Sequence, residues 1–388
     1  MDLATRSNVW QKDFGNAEAY ELVTLNDGGA PGVLLWGESR WRLFDSLTGD
    51  LKSGNTLPGP MRNAIFLFDA SKMGGKELIF EFANPALPML AVRPEDGTTL
   101  WQGPTNLASY GGHSEGMRQQ PAGGMLVLAL NNSLVEVDAA TGKVRWELKA
   151  KPSNWLIDAE SKDVYVTLAD RRLLCVDSEG RTNWILRLRT EDEAVPTALL
   201  PAGQAGGRRD ILLSHERGRI EVAHWPRLLW EATATAGLQA TPLVVKCTDG
   251  KQVVLQLGAW SEEAGMVGLE GASGRILWSN SEYIPPNRAP ALAPFDSDGT
   301  LAIGAIGWQN LGSDLRLIIR RAADGDLISS RLVPLTNWVT GGVAADFRGI
   351  GMTDLAVSSF GDIPHRIALT AAQGCRPCEV WPTGQATR

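Results

Sequence analysis

Four cysteines are the first residues to test for chemistry: Cys175, Cys247, Cys375 and Cys378. The last two form a Cys-x-x-Cys motif in GCRPCEVW, a spacing that suits a redox-active pair, half of a zinc site or a local disulfide. No second cysteine pair or nearby histidine completes a zinc set, and Glu379 stands where covalent haem attachment needs histidine. A structural turn or local disulfide is therefore expected. Cys175 in LLCVD and Cys247 in VVKCTD sit in apolar runs and read as buried thiols within strands. The four histidines, His113, His215, His224 and His365, are dispersed, and each reads as a surface loop residue. No Ser/His/Asp or Cys/His set emerges from spacing, so no catalytic residue is assigned and no metal is expected.

The elements that must position any site repeat along the chain. In DAATGKVRWELKA (Asp138 to Ala150) a polar run ends in Gly142, which can take positive φ without a Cβ clash, and β-branched and aromatic residues flank it. That is a hairpin. The Gly-x-x-x-Trp spacing returns at Gly97/Trp101, Gly180/Trp184 and Gly274/Trp278, while Trp230 keeps the Trp but has Pro226 in place of Gly. Gly49, Gly325 and Gly374 keep the Gly and lose the Trp. The Trp positions fall at 53, 101, 146, 184, 230, 278, 329 and 378, in steps of 48, 45, 38, 46, 48, 51 and 49. This period of about 40 to 50 residues is that of propeller blades.

A second hairpin lies upstream of the first in most periods: FLFDASKMGGKELIFEF, LLPAGQAGGRRDILLS, LVVKCTDGKQVVLQL and VAADFRGIGMTDLAVSS each set two apolar strands around a Gly/Asp turn. Two hairpins make four strands. The expected fold is all-β, an eight-bladed β-propeller of four-stranded antiparallel blades. The blades span approximately 19–60, 61–106, 107–153, 154–193, 194–237, 238–288, 289–338 and 339–388, as one domain over 1–388. SNVWQKDFG (Ser7 to Gly15) resembles a fourth-strand end without its hairpin, so strand 7–13 is expected to pair with the last blade and close the ring. A linker cut from a longer chain is the other reading.

The Gly-x-x-x-Trp hairpin behind an apolar strand resembles the repeat of quinoprotein-type propellers, named for pyrroloquinoline quinone. The upstream Asp/Gly turn is similar to the FG-GAP repeat of integrin-like propellers. Together these resemblances cover about residues 19 to 380, and in size and blade count the chain resembles the propeller subunit of the bacterial outer-membrane assembly machinery. Quinone-dependent dehydrogenases of this type carry adjacent cysteines beside the cofactor, and this sequence has no adjacent pair, so no cofactor is expected. Calcium-binding FG-GAP turns need many oxygen ligands. Here FDSDGTLA keeps Asp296 and Asp298 but runs into Leu301, and DFRGIGMTD keeps Asp346 and Asp354 with Arg348 where a carboxylate belongs. Structural turns are expected instead.

The formal charge is −7 with no Lys/Arg run, which argues against phosphate neutralisation of a nucleic acid. No apolar run reaches membrane-spanning length, and MDLATRSNVWQKDFG has no apolar signal core. The compartment is left open, extracytoplasmic if a signal segment has been removed.

Loops joining consecutive blades are expected to converge on one face, bringing Arg62, His113, Asn154, Trp155, Arg288 and Trp338 there. Second-to-third strand loops add Trp260 and Trp308 on the same face, outside the Trp position of the repeat. Large aromatics beside Arg and Asn suit a partner or ligand surface. The expectation is a non-catalytic interaction scaffold or ligand-sensing domain that binds a protein partner or small ligand. A carbohydrate-binding or carbohydrate-active propeller and a quinone-dependent oxidoreductase are the alternatives.

Overall fold

In the computed structural model the described residues comprise 31 strands between Ala19 and Ile367 and most of the tight turns between them. Residues 1–18, 106–116, 201–208, 234–241, 258–265, 281–290, 333–338, 346–353 and 368–388, among shorter segments, lie outside the described residues. No helix occurs among the described residues. The expected closing strand 7–13 and the Cys375–Cys378 motif fall in the undescribed ends.

Each sheet is a simple antiparallel meander, first strand beside second, second beside third, third beside fourth. The first sheet contains β1 (Ala19–Val23), β2 (Gly32–Gly37), β3 (Arg40–Asp45) and β4 (Leu51–Thr56). The second has β5 (Met61–Phe68), β6 (Glu77–Phe82), β7 (Leu90–Val92) and β8 (Thr99–Gln102). The third has β9 (Met117–Gln119), β10 (Met125–Leu130), β11 (Ser133–Asp138) and β12 (Val144–Leu148). The fourth has β13 (Pro152–Ile157), β14 (Val164–Leu168), β15 (Arg172–Val176) and β16 (Thr182–Arg187).

The fifth sheet contains β17 (Ala194–Leu200), β18 (Asp210–His215), β19 (Arg219–His224) and β20 (Arg227–Thr233). The sixth has β21 (Leu243–Lys246), β22 (Gln252–Leu257), β23 (Met266–Glu270) and β24 (Ile276–Ser279). The seventh has β25 (Ala291–Pro294), β26 (Leu301–Gln309), β27 (Asp314–Arg321) and β28 (Leu327–Leu332). The last shows three strands among the described residues, β29 (Val339–Ala345), β30 (Asp354–Ser359) and β31 (His365–Ile367). The chain divides into two compact units, Met1–Ile185 and Leu186–Arg388, with the division inside β16.

The second and third strands read as continuous apolar runs because both of their faces are buried. ELIFEF of β6 and VYVTL of β14 are buried at every position. Within the first unit, one cluster joins Leu34, Trp41 and Leu43 of the first sheet to Leu78, Phe80 and Leu90 of the second. Another joins Val127, Leu134 and Trp146 of the third sheet to Trp155, Val164 and Val166 of the fourth. In the second unit, Leu212, Ile220 and Val222 of the fifth sheet pack with Val244, Val254 and Leu269 of the sixth.

The repeat Gly and Trp join neighbouring sheets rather than one hairpin to itself. Gly142 has φ +71°, and a Cβ there would lie 2.5 Å from Cε3 of Trp101 in the preceding sheet. Only glycine meets both the left-handed backbone and that approach. Gly180 rests in the same way on Trp146, Gly274 on Trp230, and Gly325 on Trp278. Where the first sheet has Ser53 at the Trp position, Asn55 substitutes, its Nδ2 donating to the Gly97 carbonyl at 3.4 Å, with Trp41 close behind. At Trp230 the missing glycine is explained by a different turn. His224 pairs directly with Arg227 around a cis Trp225–Pro226 bond, a two-residue reversal in place of the longer glycine turn.

Candidate functional site

The residues expected to share one face belong, by their place in the repeat, to the end of each sheet where the first strand begins, the second ends and the fourth leaves for the next sheet. The structure describes this end in part. His113, Trp260, Arg288 and Trp338 lie outside the described residues. Arg62, Asn154 and Trp155, expected on connecting loops, are instead strand residues of β5 and β13. Trp308, expected on a second-to-third strand loop, is in β26 and pairs with Leu315.

The changes at Arg62 and Asn154 share a cause. The first strands start early and absorb an extra residue as a register shift, seen between Met61 and Asn63, Pro152 and Asn154, Pro196 and Ala198, and Val339 and Gly341. Bulges of this kind bend a strand and re-aim its side chains. Arg62 is the extra residue in β5. Trp155 is only 1 % exposed and belongs to the core cluster with Val127, Leu134 and Trp146, so its indole holds neighbouring sheets and is not presented to a partner. Asn154 is half-buried, and its carbonyl accepts the Thr167 hydroxyl at 3.2 Å.

The next-to-last position of the second strand is a buried polar residue in four sheets: Glu81, Thr167, Ser214 and Gln256. Asn63 pairs with Glu81, Asn154 with Thr167 and Val195 with Ser214. Trp308 occupies the same register position in β26. A polar group recurs there inside otherwise apolar strands, and buried polar groups persist only where they are hydrogen-bonded.

The histidine expectation also changes. His215 ends β18 and is fully buried, 3.3 Å through Nε2 from Oε2 of Glu221, itself fully buried in β19. Arg219 Nη2 lies 2.5 Å from the other Glu221 oxygen and 2.9 Å from Glu231. Burial pushes the Glu221 carboxyl up, but His215 and Arg219 outweigh it and hold the group below its usual range. His215 reads as a surface loop residue because its segment SHERG (Ser214 to Gly218) is polar, yet its partner Glu221 lies on the next strand, and only the fold of the strand pair brings the two together. His224 Nδ1 meets Asp210 Oδ1 at 2.6 Å at the opposite end of the same sheet. His365 begins β31.

Cys175 is a buried thiol in β15, as expected, whereas Cys247 follows β21 as the first residue of a turn and is half-buried. Among the described residues no group of three or more His, Cys, Asp or Glu is placed to hold a metal ion. Asp296, Asp298 and Asp346 lie outside the described residues, and Asp354 begins β30.

One fourth strand carries a surface that the sequence reading missed. In β16 and the two residues after it, Trp184 and Leu188 point inward, while Asn183, Ile185, Arg187 and Arg189 alternate on the exposed side. Ile185 is 43 % exposed. Arg187 and Arg189 form no ion pair among the described residues, although Arg145, Arg172, Arg181, Arg275 and Arg321 each face a carboxylate. The position after the repeat Trp is Glu147 in β12 and Glu231 in β20, but Ile185 in β16.

With this geometry in hand, similarity to known proteins is informative. Residues 89–224 match the family described as outer membrane protein assembly factor BamB. Within those residues the chain is similar to that quinoprotein-type repeat. Among solved structures, BamB from Moraxella catarrhalis aligns at TM-score 0.56 with 12 % identity, covering 89 % of this chain and 94 % of that one. Quinohemoprotein alcohol dehydrogenase from Comamonas testosteroni aligns at 0.56 with 11 % identity over 84 % of this chain and 69 % of that one. The C-terminal WD40 domain of Sif2 aligns at 0.56 with 10 % identity over 92 % and 100 %. These likenesses place the fold in the β-propeller class. No curated protein matches the sequence. Among the described residues no helix is long and apolar enough to cross a membrane.

Proposed function

We propose that this chain is a non-catalytic scaffold, an eight-bladed propeller in one domain that binds a protein partner at the end of the sheets where Arg62, Asn154 and Trp308 lie. The observation that carries the reading is the exposed row Ile185, Arg187, Arg189 along and just beyond an outermost strand, two guanidiniums with no ion pair among the described residues beside an aliphatic side chain. Arginine beside apolar surface is typical of binding hot spots, and free cations on a chain of net charge −7 favour an acidic partner. The row runs into the connection 190–193, which leads to β17. His113, Trp260, Arg288 and Trp338 are assigned to the same surface by their place in the repeat. The match of residues 89–224 to an assembly-factor family supports a binding role over a catalytic one.

The test compares wild type with I185D and with the double variant R187E/R189E in capture of a partner. Each variant should weaken binding by at least about 1 kcal/mol while the circular dichroism spectrum stays that of an all-β protein. Unchanged capture would remove this surface from the reading. Reduction of an artificial electron acceptor after reconstitution with quinone and calcium would replace the scaffold with the oxidoreductase alternative.

A further inference from the structure

In each four-stranded sheet the outermost strand leaves one row of backbone N–H and C=O groups without a partner inside its own sheet. Such edges attract other strands unless charge, shortness or a bulge prevents it. The side chains on these edges differ in what they would accept. β20 is seven residues long and its exposure alternates strictly. Arg227, Leu229, Glu231 and Thr233 are exposed, and Leu228, Trp230 and Ala232 are half-buried on the other side.

A second β20 laid antiparallel to the first, with the two-fold axis at Leu229, gives a self-complementary pairing. Arg227 of each copy then faces Glu231 of the other, and Leu229, 40 % exposed, meets its own counterpart on the axis. On the opposite side of the ladder Leu228 faces Trp230. Both sides of the strand are thus matched in one register, the property an isologous dimer contact requires. Arg227 has no ion pair among the described residues, and Glu231, half exposed, is paired with the rim guanidinium of Arg219. The register shift between Val222 and Ala223 makes Leu229 the extra residue opposite β19, so the bulge at the axis works against the ladder and the matched side-chain pairs must outweigh it.

Among the described residues the other outermost strands lack this match. β16 offers Arg187 and Arg189 with no acidic residue. In β12, Arg145 is already held by Asp138 and Glu136. TLWQ of β8 and ILWS of β24 are four residues long and uncharged, and LISSRL of β28 has no acidic residue. The same bulge occurs in β12 and β24, so it is the side-chain row that sets β20 apart.

We propose that two copies of this chain associate through antiparallel pairing of their β20 edges. The contact is a single short ladder at the small end of interface sizes, so the dimer is weak and concentration-dependent. It is independent of the partner surface on β16.

Sedimentation equilibrium of the full chain tests it. Wild type should rise with concentration from 41.8 kDa toward twice that mass. R227E places Glu against Glu and E231R places Arg against Arg, and each should weaken self-association by at least about tenfold. Mixing R227E with E231R restores both ion pairs across the axis, so the mixture should dimerise where neither variant does alone. Circular dichroism shows that each variant is folded. Wild type that stays monomeric at all concentrations, R227E that self-associates like wild type, or a mixture that remains monomeric would each overturn the proposal.

Discussion

The third and fifth sheets solve one problem in two ways. Each buries a glutamate in its third strand and docks the repeat Trp of its fourth strand against the next hairpin. In the third sheet Trp146 is 8 % exposed, with the Gly180 turn pressed on its ring. Glu136 is fully buried and faces one partly exposed cation, Arg145, at 3.2 Å. Burial therefore dominates and raises the Glu136 carboxyl above its usual range despite Arg145. In the fifth sheet Trp230 is half-buried but its indole N–H donates to the Gly271 carbonyl at 3.0 Å. Glu221 meets His215 on one oxygen and Arg219 on the other, and its carboxyl is lowered. Burial alone does not set the state of a buried carboxylate; the balance between burial and the charged partners that reach it does.

The largest effect should separate the two Trp residues. Replacing Trp146 by Ala should cost about 3–5 kcal/mol, because a nearly buried indole is lost from between two sheets. Replacing Trp230 should cost about 2–3 kcal/mol, from less apolar area and one hydrogen bond. Urea midpoints of the two variants measure the difference, and equal losses would mean that the exposure of Trp230 carries no energetic consequence.

A smaller loss is expected at Glu221. Its lowered carboxyl contributes stability at pH values above the unfolded glutamate pKa of about 4.3, and that contribution is lost as pH falls through the lower folded value. E221Q should therefore lose about 1–3 kcal/mol near neutral pH and approach wild type in acid. A loss that does not change with pH would assign Glu221 a packing role only.

The smallest effect has the opposite sign. Because the Glu136 carboxyl is raised, its ionisation opposes folding as pH climbs through the unfolded and then the folded value. E136Q removes that opposition and leaves Arg145 its partner Asp138. Stability near neutral pH should rise by up to about 1 kcal/mol, with no gain in acid. A loss at neutral pH as large as that of E221Q would show that Glu136 is held as firmly as Glu221, and the contrast between the sheets would fall.

The strands and the turns were legible for a physical reason. Apolar runs such as MLVLAL and the Gly-x-x-x-Trp spacing are local patterns, and each fixes a strand or a reversal from a dozen residues. The site was less legible. Arg62 and Asn154 became strand residues because a bulge in the first strand takes up one residue, and no local pattern marks a bulge that depends on its partner strand. Trp155 looked like a loop aromatic beside Lys151 and Asn154, but the neighbouring sheet supplies the apolar wall that buries it. Buried Glu81, Glu221 and His215 carried only a faint signal, a polar letter within or beside an apolar run.

By itself the sequence determined an all-β chain of repeated four-stranded units, since hydrophobic period and glycine placement act over a few residues. Tertiary structure decided which side chain meets which. Gly142 rests on Trp101 of the preceding sheet, His215 finds Glu221 across a strand pair, and Ile185, Arg187 and Arg189 are left on an open edge. Those outcomes depend on residues from separate strands coming within a few ångströms, and burial and charge pairing are properties of that proximity, which no strand carries alone.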